Sequence, residues 1–271
     1  MPLYDAHNHL QDGRFAARID EVLAACRHEG VARMVVNGTS EADWPAVLAF
    51  ARKQPVVLPS FGCHPWHVRQ RTSGWMANLQ RHLDAVPSAI GEIGLDRWIN
   101  EPDIPLQEEM FRVQLRLAAE RNLPTAIHCL KAWGRLEAIL QEEPRPQCGF
   151  LLHSYGGPAE MVANFARLGA YFSLSGYFAH ERKARQRAVF KVVPRERLLL
   201  ETDAPDMWPP ARWNRYPLQD SAAGKVINHP ANLGAVYCFA AEFLGVDLAL
   251  FTGTIAENFN RLFGPHPGWK L

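Results

Sequence analysis

The sequence lacks the signals of several large classes of protein. Its 271 residues include 29 Lys and Arg and 28 Asp and Glu, which gives a net charge of +1. This charge creates no overall attraction for nucleic acid, membranes or acidic partners, but it does not exclude a local basic patch. No run approaches the ~18 apolar residues of a membrane span, and no charged stretch leads into an apolar one at the start. We therefore expect a soluble, cytoplasmic protein without membrane contact, and no segment predicts a stable protein partner.

Paired cysteines and phosphate-binding loops are also missing. None of the five cysteines forms a Cys-x-x-Cys pair; they are Cys26, Cys63, Cys129, Cys148 and Cys238. Their odd number and scattered spacing indicate free thiols in a reducing compartment. The chain contains neither G-x-G-x-x-G nor G-x-x-x-x-G-K-[ST], which argues against a nucleotide cofactor.

What the sequence does contain is an alternation of short apolar runs with longer amphipathic stretches. The short runs predict eight strands, at residues 3–5, 32–37, 56–61, 89–93, 125–128, 150–152, 171–174 and 198–201. The longer stretches predict helices near residues 16–28, 41–53, 74–86, 106–122, 132–142, 158–168, 181–193, 228–244 and 256–263. This order predicts an α/β fold, a (β/α)8 TIM barrel forming one domain over residues 1–271, with an open doubly wound sheet as the alternative.

One long irregular stretch interrupts the alternation. Residues 204–227 contain four prolines together with Trp208, Trp213 and Tyr216. A loop of this length inside a compact domain is usually functional.

Histidines and carboxylates stand at the ends of the predicted strands, where barrel enzymes place their active residues. The first strand leads into His7 and His9, whose alternate spacing puts both imidazoles on one side. Later strands end at or lead into Glu92, His128, His153 and Asp203. Each of the six alone has an ordinary interpretation, as a hydrogen-bonded core histidine or a helix N-cap. Six of them on one rim predict a metal site.

The donor set predicts two divalent cations. Imidazole nitrogens with carboxylates suit zinc, which we favour, and also magnesium, manganese, iron or cobalt. Two ions ~3.5–4 Å apart need a bridging ligand, and Glu92 can serve because it has two oxygens and its strand lies between the two histidine groups. The predicted groups are His7 and His9 with Asp203 nearby for one ion, and His128 with His153 for the other.

Glu92 and Asp203 are the predicted catalytic residues of such a site. Two bound cations lower the pKa of a shared water molecule towards neutrality and make it a nucleophile. Asp203 is predicted to orient that water and take its proton.

Six short segments also carry a resemblance to a known family. They are DAHNHL from residue 5, GCHP from residue 62, GEIGLD from residue 91, IHC from residue 127, LLH from residue 151 and LETDAP from residue 200. In this order they resemble the TatD-like metal-dependent hydrolases, a branch of the amidohydrolase superfamily whose members are mostly described as deoxyribonucleases. The segment from Thr254 to Phe263 also looks like the end of the family's sequences.

The resemblance implies roles that agree with the strand pattern. It assigns the same six residues as metal ligands, and it places His64 at the substrate phosphate; a structural histidine beside Pro65 is the alternative. The chain departs from the family after the histidines of strands 5 and 6, where it has Leu130 and Ser154-Tyr155, and near the last helices, where it has Asn228-His229. We expect these positions to surround the substrate, so the departures leave the identity of the substrate open.

Two groups of side chains have both a nucleic-acid and a structural interpretation. The first is a basic stretch: Arg182, Lys183, Arg185, Arg187 and Lys191. The second is a set of indoles in predicted rim loops: Trp66, Trp98, Trp133, Trp208 and Trp213. The basic residues could contact a phosphate backbone or form a solvated helix face, and the indoles could stack on bases or pack within loops.

The sequence thus predicts a two-metal phosphodiesterase that cleaves DNA, at an end or on single strands. One alternative keeps the same site but hydrolyses a small ester, lactone, amide or phosphoester. Another is a barrel that binds only metal or a protein partner, which the complete set of six ligands disfavours.

Overall fold

Eight parallel strands form the frame of the molecule in the computed structural model, which describes residues 1–220 and 222–264. Their sheet order is the chain order: β1 (Leu3–Asn8), β2 (Val31–Asn37), β3 (Val57–Phe61), β4 (Ala89–Asp96), β5 (Thr125–Leu130), β6 (Phe150–Leu152), β7 (Ala170–Ser175) and β8 (Leu198–Glu201). The predicted (β/α)8 barrel is confirmed. Residues 221 and 265–271 of the predicted domain lie outside the described residues.

Helices cover the outside of the strands. They are α1 (Ile19–His28), α2 (Trp44–Lys53), α3 (Trp75–Ala85), α4 (Ile104–Arg121), α5 (Trp133–Glu142), α6 (Val162–Arg167), α7 (Ala184–Arg187), α8 (Leu233–Leu244) and α9 (Leu248–Phe263). The Asp103 carboxylate accepts a hydrogen bond from Leu106 N and so begins α4, which ends at Asn122 in a left-handed conformation, φ 49°.

A buried carboxylate ties the first strand to the last. Asp5 Oδ1 accepts a hydrogen bond from Thr202 N at 2.9 Å, and its Oδ2 accepts one from Thr202 Oγ1 at 2.6 Å. Two backbone bonds follow, from Asp203 N to His7 O and from His9 N to Ala204 O. The ends of β1 and β8 that carry the predicted ligands are therefore joined.

The barrel interior is filled by apolar side chains from seven strands: Ala6, Val35, Leu58, Ala89, Leu151, Tyr171 and Leu199. The end opposite to His7 is closed by α9, which adds Phe259, Leu262 and Phe263 to this cluster. A packed interior gives the strand ends a rigid base, so side chains at the opposite rim hold fixed positions.

Two predicted helices differ from the structure. The stretch 181–193 is a series of short turns around α7, because its Arg and Lys residues repel one another at the three- and four-residue spacings of a helix. The last helix begins at Leu248 rather than near residue 256. Thr252 and Thr254 have low helix propensity, so the sequence pattern predicted a later start. In the structure both hydroxyls donate to carbonyl oxygens four residues earlier and are accommodated within the helix.

The stretch 204–227 contains some regular structure within its described residues. A 3₁₀ turn forms at Ala211–Trp213, and β9 (Leu218–Gln219) pairs antiparallel with β10 (Val226–Ile227). The predicted helix 228–244 begins as a 3₁₀ turn at Pro230–Asn232 and becomes α-helical at Leu233.

Within the described chain, no single helix has both the length and the hydropathy to cross a membrane. The pair Pro230–Leu244 and Leu248–Phe263 meets those criteria only jointly, with a bend of 111° between its members.

Candidate metal centre

The structure brings all the predicted site residues to the carboxyl ends of the strands. Six of them line one cavity of about 540 Å³: His9, His64, Glu92, His128, His153 and Asp203. The remaining one, His7, is completely buried directly beneath them. One rim of the barrel therefore holds the six predicted metal ligands and His64.

Glu92 Oε2 faces the first histidine group. Its distances to His7 Nε2 and His9 Nε2 are both 3.3 Å, and the two nitrogens are themselves 3.3 Å apart. Asp203 Oδ1 lies 3.6 Å from each of these nitrogens. Three donor atoms thus form an equilateral triangle, with a second carboxylate beside it.

Glu92 Oε1 faces the second histidine group. It lies 3.1 Å from His128 Nδ1 and 2.9 Å from His153 Nε2, and these two nitrogens are 3.2 Å apart. The two oxygens of one carboxylate therefore serve two separate sets of imidazoles.

These separations fit common coordination of a cation. Two ligands at zinc distances of 2.0–2.1 Å in tetrahedral geometry lie roughly 3.3 Å from one another. Hydrogen bonds alone do not explain the three mutual contacts of His7 Nε2, His9 Nε2 and Glu92 Oε2. Each nitrogen of a neutral ring has either a proton or a lone pair, so at least one of the three contacts has no donor or has two. The donor chemistry, nitrogen with carboxylate oxygen, suits zinc, manganese, iron or cobalt. The residues present therefore fit divalent metal.

In two histidines, a hydrogen bond on the side of the ring away from Glu92 determines which ring nitrogen keeps its lone pair. His9 Nδ1 donates to the carbonyl oxygen of Asn37 at 2.8 Å, so Nε2 keeps its lone pair toward Glu92. His128 Nε2 donates to Asp96 Oδ2 at 3.0 Å, so Nδ1 keeps its lone pair. Both rings are held in the tautomer that a metal ligand needs.

His64 has the opposite arrangement. Its Nδ1 accepts the backbone N–H of Trp66 at 3.2 Å, which places the ring proton on Nε2. That Nε2 lies 3.2 Å from Glu92 Oε1 and donates to it. His64 is therefore arranged as a hydrogen-bond donor in the cavity, although its position alone would also allow metal ligation with Glu92 and His128.

His7 and His153 support one another in the floor of the site. Their rings stack with a centroid distance of 4.0 Å and an angle of 10°. His153 Nδ1 lies 3.7 Å from Oε1 of the fully buried Glu201, whose Oε2 accepts a hydrogen bond from Ser173. Glu201 is thus a buried carboxylate behind the ring.

The backbone turns sharply where these side chains leave their strands. Asp203 adopts a left-handed conformation, φ 52°, which Asp tolerates better than most residues. Gly94 has φ 146°, and a Cβ there would lie 2.0 Å from the carbonyl oxygen of His128. Only glycine lets β4 approach β5 this closely beside His128.

The charges of the site are strongly coupled. Burial raises the pKa of Glu92, but the surrounding histidines outweigh it and hold that pKa well below its usual range. Burial lowers the pKa of His9, but Glu92 and Asp203 raise it to about 9. Burial raises the pKa of Asp203 to about 7. Without metal, these shifts favour a protonated His9 and raise the protonated fraction of Asp203, and a cation held by these groups would displace those protons.

Three residues that help to build the site were not assigned a role from the sequence. Asp96 contacts the ring of His128, and Glu201 lies next to the ring of His153. Both carboxylates belong to the family motifs GEIGLD and LETDAP, so their positions at strand ends could have predicted this role. Arg14 lies in the 3₁₀ helix Gly13–Arg18, and nothing in the sequence marked it as part of the site. It is the one Arg or Lys among the described residues that line the cavity, where it pairs with Asp12 and Asp206.

Comparison with known proteins agrees with this geometry. The family model of TatD-related DNases matches residues 4–264. The chain belongs to this family. It is 32% identical over 267 residues to the 3'-5' ssDNA/RNA exonuclease TatD of Cronobacter sakazakii, covering 96% of this chain and 97% of the relative. It is 30% identical over 266 residues to the metal-dependent hydrolase YabD of Bacillus subtilis, covering 96% and 98%.

The fold of this TatD-family chain matches a solved relative as well. The TatD homologue YjjV of Escherichia coli superposes with a TM-score of 0.86 at 25% identity, covering 97% of this chain and 98% of that one. The predicted family resemblance and the predicted class, a metal-dependent hydrolase, are confirmed.

The positions where this TatD-family chain departs from the family do not all surround the cavity. Leu130 and Ser154 line it. Tyr155 is fully buried and donates its hydroxyl to Pro158 O, and His229 accepts a hydrogen bond from Ala231 N. The expectation that every departure faces the substrate is therefore wrong for Tyr155 and His229, whose side chains satisfy their own loops.

Proposed function

We propose that this TatD-family hydrolase is a two-metal phosphodiesterase that degrades single-stranded DNA from an end. The observation that carries the proposal is the orientation of the Glu92 carboxylate. Its Oε2 faces His7 and His9, and its Oε1 faces His128 and His153. A carboxylate with this arrangement can bridge two cations, and zinc is the metal that suits the donor set best. The names of relatives that act on single-stranded nucleic acid support the choice of substrate.

The protein's own groups have separate tasks in this proposal. Bound cations would polarise a phosphate oxygen and lower the pKa of a water molecule. Asp203, whose pKa burial raises, is placed to accept the proton of that water. His64 stays neutral because burial lowers its pKa to about 4, and its Nε2–H donates to a phosphate oxygen that replaces Glu92 as acceptor.

The test is cleavage of oligonucleotides labelled at the 5' or the 3' end, single-stranded and duplex, by protein reconstituted with zinc or manganese. We expect a ladder on single strands and its loss in Asp203→Asn. Asp84→Asn is the matched control, because this carboxylate pairs with Arg121 on the outside of the barrel. Full activity of Asp203→Asn overturns the role of Asp203, and no cleavage of any oligonucleotide by the wild type overturns the substrate.

A second candidate is hydrolysis of a small ester, lactone or amide, and the charge of the cavity favours it. Five carboxylates line the wall: Asp12, Asp43, Glu92, Asp203 and Asp206. Arg14 is already paired with two of them. The carboxylates of Asp12, Asp43 and Asp206 outnumber Arg14 and repel a polyanion, whereas a neutral substrate meets no such repulsion. Faster turnover of a lactone or amide panel than of DNA would select this candidate.

We also propose that the protein works in a reducing, cytoplasmic compartment. All five cysteines are free thiols, and Cys26, Cys63 and Cys129 are buried. Thiol titration of protein purified without reductant tests this: five free thiols are expected, and a disulfide in freshly isolated protein contradicts it.

A further inference from the structure

The five indoles noted in the sequence separate into two groups in the structure. Trp133 packs against Tyr155 and Phe165, and Trp213 packs against Phe239. Trp66, Trp98 and Trp208 instead expose 55%, 64% and 39% of their surface, and of these Trp66 and Trp98 share the partner Asp96. Large exposed indoles on the face that holds the catalytic cavity need a reason.

Trp66 is exposed but held in place. Its Nε1–H donates to Asp96 Oδ2 at 2.7 Å, and Asp96 is itself buried. Its backbone N–H donates to His64 Nδ1, and its ring meets His64 edge to face with a centroid distance of 4.9 Å. The indole thus lines the cavity in one fixed orientation next to Glu92, and binding a planar group costs it little conformational entropy.

Trp98 is anchored to the same carboxylate. Its backbone N–H donates to Asp96 Oδ1 at 2.6 Å. The Lys131 ammonium lies 4.4 Å above its ring, a cation–π contact, and Lys131 is in the left-handed conformation with φ 54°. The backbone bond from Arg97 N to Leu130 O joins the two loops, and Leu130 lines the cavity.

We propose that Trp66, Trp98 and Lys131 form a stacking subsite for the unpaired bases of the nucleic-acid strand whose phosphate is cleaved at Glu92. Indole faces accept any base, and the ammonium can move from the ring to a backbone phosphate. The acidic residues Asp12, Asp43 and Asp206 lie on other loops, which directs a polyanion toward Lys131. A duplex hides its base faces, so the subsite selects single strands.

The inference rests on the proposed function, and its test separates the two. KM and kcat are measured on a single-stranded oligonucleotide and on an abasic strand of the same length, which keeps the phosphates but has no bases. The variants are Trp66→Ala, Trp66→Phe, Trp98→Ala and Lys131→Ala, with Trp208→Ala as control, since Trp208 is 39% exposed on another loop. Metal content is measured for each.

Each stacked base contributes roughly a 5- to 150-fold gain in affinity. We expect Trp98→Ala to raise KM for the normal strand by this factor, with kcat and KM for the abasic strand nearly unchanged. Trp66→Ala raises KM for the normal strand in the same way, but it also removes a hydrogen bond to Asp96, so its kcat is compared at equal metal content. Trp66→Phe restores most of the affinity, because a phenyl ring still stacks. Lys131→Ala raises KM for both strands, and the control changes neither.

Trp98→Ala keeps the inference falsifiable if Trp66→Ala loses metal, because Trp98 contacts Asp96 through its backbone alone. Cleavage of DNA with unaltered KM in Trp98→Ala, or equal losses on both strands, overturns the subsite and leaves the proposed function standing. If the wild type cleaves no strand, fluorescence anisotropy of the metal-loaded protein decides the subsite. Tighter binding of the normal than of the abasic strand, lost in Trp98→Ala, supports it, and equal binding overturns it.

Discussion

His128 Nε2 donates a hydrogen bond to Asp96 Oδ2 at 3.0 Å, and this contact turns His128 Nδ1 toward Glu92. Burial raises the pKa of Asp96, but its bonds from His128 and Trp66 lower it to about 2, so the acceptor is ionised at neutral pH. The same carboxylate accepts from Trp98 N. One side chain thus orients a candidate metal ligand and two rim residues.

Replacing Asp96 should weaken metal binding without unfolding the barrel. Asp96→Asn can still accept hydrogen bonds but carries no charge, so His128 is held less firmly in the ligand tautomer. Outer partners of this kind contribute roughly 10- to 100-fold to metal affinity. Competition with a chromophoric chelator measures the change, and Asp84→Asn provides the baseline. An unchanged affinity would show that His128 does not bind metal through Nδ1.

Glu92→Gln should reduce the number of ions bound. An amide offers one good acceptor oxygen where the carboxylate offers two, and it removes the negative charge shared by both histidine groups. Elemental analysis after reconstitution should find about two ions in the wild type and about one or fewer in the variant. Loss of several kcal/mol of transition-state stabilisation would lower kcat by roughly 10³-fold. Two tightly bound ions in the variant would contradict the bridge.

Metal affinity should rise with pH. The pKa values of His9 and Asp203, about 9 and about 7, mean that both groups are mainly protonated below pH 7 in the metal-free protein. Each displaced proton steepens the rise by about tenfold per pH unit, so the rise is steepest below pH 7 and continues above it, because the pKa values of His128 and His153 are raised as well. Calorimetry in buffers of different ionisation enthalpy counts the released protons. A flat profile between pH 6 and 9 is incompatible with these two groups as ligands.

The junction of β1 and β8 should be sensitive to one hydroxyl. Thr202→Val keeps the shape of the side chain but leaves Asp5 Oδ2 without its 2.6 Å donor. Because Asp5 Oδ2 then keeps only its 3.2 Å bond from Asn8 Nδ2, the free energy of unfolding in urea should fall by about 1–3 kcal/mol, the contribution of a buried hydrogen bond to a carboxylate. Thr202→Ser keeps the donor and should lose less. Equal losses in both variants would assign the effect to the methyl group instead.

Binding of DNA should require metal. The carboxylates of Asp12, Asp43, Glu92 and Asp206 outnumber the single Arg14, which is already paired, and bound cations would add positive charge beside them. Chelated protein should bind a single-stranded oligonucleotide at least about tenfold more weakly than the metal-loaded form, measured by anisotropy at constant ionic strength, because Coulomb repulsion replaces attraction. Undiminished binding after chelation would place the main contacts outside the cavity.

The alternation of strands and helices could be predicted from the sequence, because each strand is a short apolar run that lies between stretches with the periodicity of an amphipathic helix. The strands at 150–152 and 198–201 match the structure in both ends, and others extend by a few residues beyond the predicted end. The helices at 181–193 and 256–263 were wrong in extent. There, repulsion between basic residues and hydroxyl-to-backbone bonds altered what apolar periodicity alone suggests.

The sequence by itself determined the frame and the identity of the chemical groups. Strand ends in a parallel barrel share one rim, so the order of histidines and carboxylates along the chain already placed them together. The sequence did not determine which oxygen of Glu92 faces which histidine, that His64 is a donor, or that Asp96 holds both His128 and Trp66. Those relations depend on side-chain directions and tautomers, which only the packed barrel decides, because residues far apart in the chain set them through distances of a few ångströms.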